Sequence, residues 1–158
     1  AFVADKVNRT PKTLGGKFSF QVGTYRGFAT WKHVPLKVVV DGTEKRELTA
    51  QAVTVANCPY YGGGMMIAPM AVPDDGLLDV IITGPIGKLE ALGGFSKIYS
   101  GAHIADPKLK RWFETFRARR VEIDSQVPVL VQLDGEIVGE LPATFEVMPR
   151  AVRFMTPA

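Results

Sequence analysis

The chain has 158 residues, of which 46% are hydrophobic and 22% are charged, and its formal net charge is +3. This length suits one domain with a substantial core, and this composition excludes an intrinsically disordered chain. The mildly basic balance permits contact with an anionic surface without requiring it. The single cysteine, Cys58, excludes an internal disulfide and favours a reducing compartment such as the cytoplasm.

Signals for membrane insertion, secretion and nucleic-acid binding are missing from the sequence. No apolar run reaches the roughly 18 residues that span a bilayer, and the N-terminal stretch does not resemble a signal peptide. The basic residues are dispersed, and no strand combines aromatic with basic side chains, so we expect no nucleic-acid partner. Because the chain begins at Ala1 rather than at methionine, we expect it to be a piece of a longer or processed protein.

The first half of the chain predicts one helix followed by three strands. Apolar residues recur every three or four positions over residues 11–32, which is the spacing of one helix face. Two apolar segments, 36–41 and 44–57, then predict strands that are joined by a hairpin turn at Asp41-Gly42. Residues 77–83 predict a third, short strand.

Helical spacing returns in the middle of the chain. Residues 88–99 predict a helix that is bent or interrupted at Gly93-Gly94. A second helix is predicted over residues 109–116, with a polar face that carries the basic residues Lys108, Lys110, Arg111 and Arg117. A basic amphipathic helix can lie on an anionic membrane surface, and the same pattern is typical of a solvated helix face over a packed aromatic stripe.

The last third of the chain predicts short strands separated by turns. These strands cover residues 119–124, 128–133, 136–138, 144–148 and 151–155. With the earlier three they make about eight strands at the spacing of a sandwich. We therefore predict a single domain over residues 1–158 with an α+β, mostly β fold, namely an antiparallel β-sandwich with two or three helices.

The connection from residue 57 to residue 80 is crowded with glycine, proline and aspartate. Three consecutive glycines at 62–64 permit positive φ and prolines fix φ on either side, so the loop should be rigid and shaped. A carboxylate such as Asp75, held in a stiff turn beside free carbonyls, is a plausible site for a hard cation. The same composition also fits an ordinary connection whose acidic residues face water.

Two further positions carry possible chemistry. Asp134 and Glu136 flank Gly135, and they share one face if the strand continues or flank a turn if it does not. Such paired carboxylates can act as a general base and its orienting or metal-binding partner, but Asp134-Gly135 is first of all a hairpin signal and the pair alone is a weak indication of catalysis. His103 suits a proton shuttle, a phosphate contact or a structural histidine. Phosphate-binding loops, nucleophile elbows and zinc-ligand spacings are absent from the sequence.

Several of these features together resemble one known family. Residues 56–65 read ANCPYYGGGM, residues 67–69 read IAP, and residues 73–80 read PDDGLLDV. The order continues with Gly101 and His103, then LDGE at 133–136 and MPRAV at 148–152. In this order the motifs resemble the bacterial branch of the diacylglycerol kinase and sphingosine kinase superfamily, over nearly the whole chain.

The resemblance implies the C-terminal, lipid-binding domain of a two-domain kinase that uses ATP and Mg²⁺ to phosphorylate the hydroxyl of diacylglycerol. The family's GGDGT nucleotide loop belongs to an N-terminal domain and does not occur in this sequence, so the chain alone should be inactive. By the family pattern, the metal position corresponds to the Asp75 carboxylate and the main-chain carbonyls of Val72 and Leu77. The proton acceptor corresponds to Glu136, with Asp134 beside it.

The partners implied by this resemblance are a diacylglycerol-like lipid, the N-terminal nucleotide-binding domain and, peripherally, the inner face of the membrane. A homodimer is also possible. Two alternatives stay open, namely a kinase for sphingoid bases or other lipids, and a non-catalytic lipid-binding or regulatory module that keeps the β-scaffold. Retention of both the Asp75 turn and the carboxylates at 134 and 136 favours a kinase, because a pure binding module would need neither.

Overall fold

The computed structural model describes residues 32–153 and 155. The helix predicted between residues 11 and 32 therefore lies outside the described residues, save for Lys32. The described part contains nine strands, one α-helix and one short 3₁₀ helix: β1 Val34–Val40, β2 Glu44–Ala50, β3 Ala52–Ala56, β4 Leu78–Thr83, α1 Lys88–Ile98, the 3₁₀ helix Lys110–Trp112, β5 Phe113–Ala118, β6 Arg120–Asp124, β7 Leu130–Leu133, β8 Glu136–Glu140 and β9 Ala143–Glu146.

The strands form two main sheets and a separate hairpin. One sheet has the order β2-β1-β6-β9 and the second has the order β3-β4-β5; among residues 32–153, β7 pairs only with β8. The two main sheets pack face to face, because one buried cluster takes Val38 and Val121 from the first sheet and Val80 and Ile82 from the second. Every strand pair is antiparallel, so the prediction of a mostly β, antiparallel sandwich is confirmed.

The predicted strand over residues 44–57 is in fact two strands in different sheets. β2 pairs with β1, whereas β3 pairs with β4. The chain crosses between the sheets at Gln51, whose backbone N–H donates to the Thr83 carbonyl at 2.8 Å. The alternation of side chains continues through this crossing, so periodicity alone could not show where the strand divides.

The predicted helix over residues 109–116 is wrong. Only Lys110–Trp112 is helical, as a 3₁₀ turn, and Phe113 begins β5. Leu109, Trp112, Phe113 and Phe116 fit a helical spacing, but residues 113–118 pair with β4 along the whole length of β5. Phe113 and Phe116 then point to opposite faces of the sheet, one against the outer cluster and one against the sandwich core.

The helix α1 and the loop between β3 and β4 cover the outer face of the three-stranded sheet. Ile81 in the central strand packs there against Ala68, Ala71 and Ile98. α1 continues through Gly93 and Gly94. Gly94 is required by close packing, since a Cβ at this position would lie 2.6 Å from the Leu109 side chain. Of the loop's acidic residues, Asp75 reaches the sheet through its contact with Arg117 of β5.

The C-terminal strand predicted over residues 151–155 is wrong for its described positions. Residues 151–153 and 155 carry no regular secondary structure, and none of them joins a strand ladder. The strands that were predicted near 120, 130, 136 and 144 are present, with ends shifted by a few residues. Within the described residues, no helix is both long and apolar enough to cross a membrane.

Candidate functional site

The loop between β3 and β4 has the shape that its glycines predict. Gly62, Gly63 and Gly64 all have positive φ, between 44° and 92°, where side chains with a Cβ are rarely found. They form a turn that is closed by two backbone hydrogen bonds of 3.0 Å between Tyr61 and Met65. Met65 is buried, so the turn is anchored to the domain at one end.

Asp75 lies in the last turn of this loop, just before β4. Its Oδ1 accepts a hydrogen bond of 3.0 Å from the backbone N–H of Leu77, which fixes the carboxylate within the turn. Its Oδ2 accepts a hydrogen bond from the guanidinium of Arg117 in β5. The Asp75-Gly76 pair, with φ of 76° at the glycine, is thus the end of a long loop rather than a two-residue hairpin.

Asp79 is a second carboxylate near this turn, and it is almost fully buried. Its exposed fraction is 2%, and it lies in β4 directly opposite Arg117 of β5. The Arg117 Nε is 3.4 Å from Asp79 Oδ1, and neither Asp79 oxygen has a hydrogen-bond partner among the described residues. Burial raises the pKa of Asp79, Arg117 opposes this change, and the charge of Asp75 adds to it.

The donor types around this turn, a carboxylate and main-chain carbonyls, are those that a hard divalent cation binds. Such cations bind carboxylate and carbonyl oxygens, and the loop offers the Asp75 carboxylate together with the main-chain carbonyls of Val72 and Leu77. Two carboxylates beside one guanidinium leave one negative charge uncompensated. Residues 32–153 and 155 contain no group of three side chains able to hold a metal, so a cation here would depend on main-chain oxygens.

Asp134 and Glu136 lie on the β7–β8 hairpin. β7 ends at Leu133, which pairs with Glu136, and Asp134 and Gly135 form the two-residue turn with φ of 46° and 100°. The carboxylates therefore flank a turn rather than share a continuing strand. Both are exposed, and within the described part of the chain no hydrogen bond or ion pair joins either of them to Asp75.

His103 belongs to the structural layer behind the loop. Its exposed fraction is 0%, and its ring makes an edge-to-face contact with Phe113 at 4.9 Å between centroids. Burial lowers the pKa of His103, and the nearby backbone of Ile67 and Lys97 opposes part of this change. A neutral, enclosed ring is suited to packing, so of the possible roles for His103 the structural one fits best.

Three of the four basic residues that were assigned to a helix face lie just before β5, whereas Arg117 lies within β5. Lys108, Lys110 and Arg111 are all exposed, and the Arg111 guanidinium is 2.5 Å from a Glu90 carboxylate oxygen of α1. This contact brings the basic turn beside α1, whose residues Leu89 and Leu92 are 86% and 51% exposed. Exposed leucines therefore neighbour a basic segment.

Sequence reasoning missed Asp79 and Arg117 as site residues. The available signal was the lone carboxylate in the apolar strand LLDVIIT, because a buried charge requires a partner. That partner, Arg117, is 38 positions away and becomes a neighbour only through the register of β4 with β5.

Comparisons with known proteins agree with this architecture. The model of the "YegS C-terminal NAD kinase beta sandwich-like domain" matches residues 1–156. The diacylglycerol kinase of Mycobacterium tuberculosis H37Rv is 27% identical over 157 residues, which cover 99% of this chain and 49% of that protein. The "Probable lipid kinase YegS-like" of Shewanella frigidimarina is 31% identical over 117 residues, covering 73% of this chain and 36% of that protein.

A solved structure shows the same fold. A diacylglycerol kinase of Bacillus anthracis superposes with a TM-score of 0.61 at 23% identity, covering 82% of this chain and 42% of that chain. The chain thus spans about half the length of the curated relatives it matches. Because the family model covers almost every residue, the chain belongs to the family of the YegS C-terminal NAD kinase beta sandwich-like domain, the C-terminal domain of diacylglycerol-kinase-type lipid kinases.

Proposed function

We propose that this domain provides the lipid site and the general base of a kinase that transfers phosphate from ATP to the hydroxyl of diacylglycerol. The observation that carries the proposal is Glu136, an exposed carboxylate at the start of β8 without an ion-pair partner among the described residues. A general base must be accessible to the substrate hydroxyl, and an exposed carboxylate meets this requirement. Family membership and the M. tuberculosis relative support the reaction class.

In this mechanism Glu136 accepts the proton of the lipid hydroxyl while the hydroxyl oxygen forms a bond to the γ-phosphorus of ATP. The bond between that phosphorus and the bridging oxygen breaks, and ADP leaves. Asp134 lies in the same turn, separated from Glu136 by Gly135, and it is the second carboxylate of the catalytic pair in this proposal. Leu133, Ile137 and Val138 are exposed apolar side chains beside this carboxylate, and they provide a surface for acyl chains.

ATP is bound by the N-terminal domain in this proposal, and Mg²⁺ is held by Asp75 with the carbonyls of Val72 and Leu77. When bound, Mg²⁺ supplies positive charge that stabilises the loop and the negatively charged reactants. Asp75 contributes by presenting a carboxylate that the Leu77 N–H holds in place. The loop thereby keeps a fixed position relative to β4 and the sandwich.

The test is Glu136→Gln in the full-length protein, assayed with diacylglycerol in mixed micelles. Loss of a general base should lower kcat by roughly 10²–10⁴-fold, while ATP affinity and Tm stay near the values of the unaltered protein. Glu140→Gln is the matched control, because Glu140 is an exposed glutamate at the other end of the same strand. Retention of most activity by Glu136→Gln would show that the base has been assigned to the wrong residue.

A panel of lipid hydroxyls tests the substrate in the same assay. The proposal expects diacylglycerol to be phosphorylated with a higher kcat/KM than sphingosine or monoacylglycerol. If sphingosine were preferred, the alternative of a sphingoid-base kinase would replace the present assignment. If the full-length protein bound lipid but phosphorylated none of them, the binding-module alternative would replace both.

We further propose that the enzyme reaches its substrate peripherally, at the inner face of the cytoplasmic membrane. Lys108, Lys110 and Arg111 supply attraction to anionic headgroups, and Leu89 and Leu92 of α1 supply apolar area beside them. Each basic residue near the surface contributes on the order of 1 kcal/mol. The basic side chains thus act together with the exposed face of α1.

Co-sedimentation with phosphatidylcholine vesicles, with and without phosphatidylglycerol, tests this surface. Replacing the three basic residues by alanine should weaken binding to the anionic vesicles by about tenfold to a hundredfold. The control replaces three other exposed lysines, which lie in β1, in β2 or just before β1, namely Lys32, Lys37 and Lys45, and it should retain most binding. Equal binding to both vesicle types, or equal losses in both triple variants, would contradict a docking role for this surface.

A further inference from the structure

One guanidinium serves two carboxylates in the outer layer of the domain. Arg117 donates to Asp75 Oδ2, and its Nε lies 3.4 Å from Asp79 Oδ1. Asp79 is 2% exposed, and within the described residues its two oxygens have no hydrogen-bond partner. A buried carboxylate in this state is exceptional, because burial without partners is costly. Asp79 can therefore accept further hydrogen bonds.

The two carboxylates differ in how freely each can change partner. Asp79 is fixed in β4, the central strand of its sheet, between β3 and β5. Asp75 lies on the loop, with a side chain that is 26% exposed, and Arg117 is 43% exposed on the edge strand β5. A long arginine side chain at this position can move between the two carboxylates while the backbone stays in place.

Arg117 also competes with a cation for the same oxygen. Asp75 is the side-chain ligand of the metal position described above, and its Oδ2 accepts a hydrogen bond from the guanidinium. A guanidinium and a divalent cation repel each other and require the same lone pairs. Binding of a cation at Asp75 therefore requires the Arg117 guanidinium to move away from Asp75 Oδ2. The Asp79 carboxylate can receive it, since Asp79 Oδ1 is already 3.4 Å from Arg117 Nε.

We propose that Arg117 is an internal counter-ion for Asp75, displaced when a divalent cation binds, and that buried Asp79 receives the displaced guanidinium. Arg117 and Asp79 are then positioning residues that set the affinity of the cation site without contacting the ion. The inference rests on the metal role proposed for Asp75. It adds that the Asp75 carboxylate is paired with a positive charge of the protein itself when no cation is bound.

The test measures Mg²⁺ affinity by calorimetry, and Mn²⁺ affinity by electron paramagnetic resonance, in the full-length protein without ATP or lipid. Arg117→Gln removes the competitor and should tighten binding of both ions by roughly threefold to tenfold. Asp79→Asn removes the receiving group and should weaken binding by a similar factor. Asp75→Asn should remove most of the binding. A merely structural role for Arg117 and Asp79 predicts that both of their variants weaken binding.

Two further variants distinguish movement of the Arg117 guanidinium between the two carboxylates from a general effect of removing one charge. Arg119→Gln removes a neighbouring exposed positive charge and should change affinity much less than Arg117→Gln. In the double variant of Arg117→Gln with Asp79→Asn, most of the loss due to Asp79→Asn should disappear, because Asp79 acts through Arg117. Equal effects of Arg117→Gln and Arg119→Gln, or full retention of the Asp79→Asn loss, would overturn the proposal.

The remaining outcomes distinguish this inference from the proposed function. An unaltered protein that binds neither ion overturns both the metal role of Asp75 and the counter-ion. If the unaltered protein binds the ions but Arg117→Gln weakens the binding, the counter-ion role of Arg117 is wrong. The kinase assignment is not affected by that result. If Asp79→Asn proves too unstable for titration, Arg117→Lys replaces it. The Arg117→Lys protein keeps the positive charge, so it should bind the ions less tightly than the Arg117→Gln protein.

Discussion

The two acidic regions of the molecule have contrasting environments. Asp75 and Asp79 lie in the packed outer layer, where Arg117 and the Leu77 N–H bind their oxygens or lie close to them. Asp134 and Glu136 lie on a hairpin that pairs with no other strand in the described part of the chain, and both are exposed. A carboxylate that a backbone N–H orients can present its other oxygen to a cation, whereas an exposed carboxylate on a hairpin can reach a substrate hydroxyl.

The hairpin and the packed layer should also differ in what a substitution changes. A two-stranded hairpin alone is marginally stable, and every residue of β8 is exposed. Substitutions there should change activity while leaving the sandwich core intact. Substitutions in the packed layer should change stability first, because β4, α1 and the loop share one buried cluster. Three experiments, from the largest expected effect to the smallest, test this contrast.

The largest loss of stability is expected from Gly101→Ala, just after α1. Gly101 has a φ of +72°, and a Cβ there would lie 2.8 Å from Pro69 Cβ and 2.9 Å from Met66 Sδ. Backbone strain together with overpacking should lower the free energy of unfolding by about 2–4 kcal/mol, as measured by urea denaturation.

The hairpin provides the control for this substitution. Gly135 has a φ of +100°, and no atom lies within 4 Å of the Cβ position, so Gly135→Ala should cost only the backbone strain of about 1–2 kcal/mol. If Gly101→Ala and Gly135→Ala lower the free energy of unfolding equally, the contacts with Pro69 and Met66 do not add to the cost of the substitution. The contrast between the two regions would then be restricted to their charges.

Local features of the fold could be predicted from the sequence. The turns at Asp41-Gly42 and Asp134-Gly135 follow from the preference of these residues for positive φ, and the structure has both, with Asp41 at 47° and Asp134 at 46°. The helix over 88–98 follows from its apolar spacing. In the site, the motifs around Asp75 and Glu136 were recognised through the order of short sequence runs.

Features that depend on distant partners could not be predicted. Phe113 and Phe116 fit a helix face and a strand equally, and pairing with β4 decides between them. The ion pair of Asp79 with Arg117 requires the same register. Likewise, the transfer of the chain between sheets at Gln51 depends on which strands are available for pairing.

A pH dependence of stability is expected next from His103, behind the loop. Burial lowers its pKa in the folded domain, so the unfolded chain binds a proton first as the pH falls. Stability should therefore be complete above the ordinary pKa of about 6.5 and decrease as the pH falls from there towards the folded pKa. Urea denaturation at about pH 7.5 and about pH 5.5 measures this loss.

Replacement of the histidine tests that assignment. In His103→Gln the part of the pH dependence that arises from this residue should disappear, whatever the change in overall stability. His33→Gln is the control, since His33 is exposed and its replacement should leave the pH dependence unchanged. An unchanged slope in His103→Gln would mean that another group in the protein causes the loss.

The smallest expected effect is a gain of stability, and it repeats the contrast between packed and free surfaces within α1. Gly93 and Gly94 are adjacent, but a Cβ at Gly93 would have no atom within 4 Å, whereas at Gly94 it would lie 2.6 Å from Leu109 Cδ1. Alanine favours a helix over glycine by up to about 1 kcal/mol, so Gly93→Ala should raise the free energy of unfolding by about 0.5–1 kcal/mol. Gly94→Ala should lower it, because the displaced leucine costs more than the helix gains. A loss in Gly93→Ala would indicate that this face of α1 is covered in the full-length protein, and it would argue against the docking surface that includes Leu92.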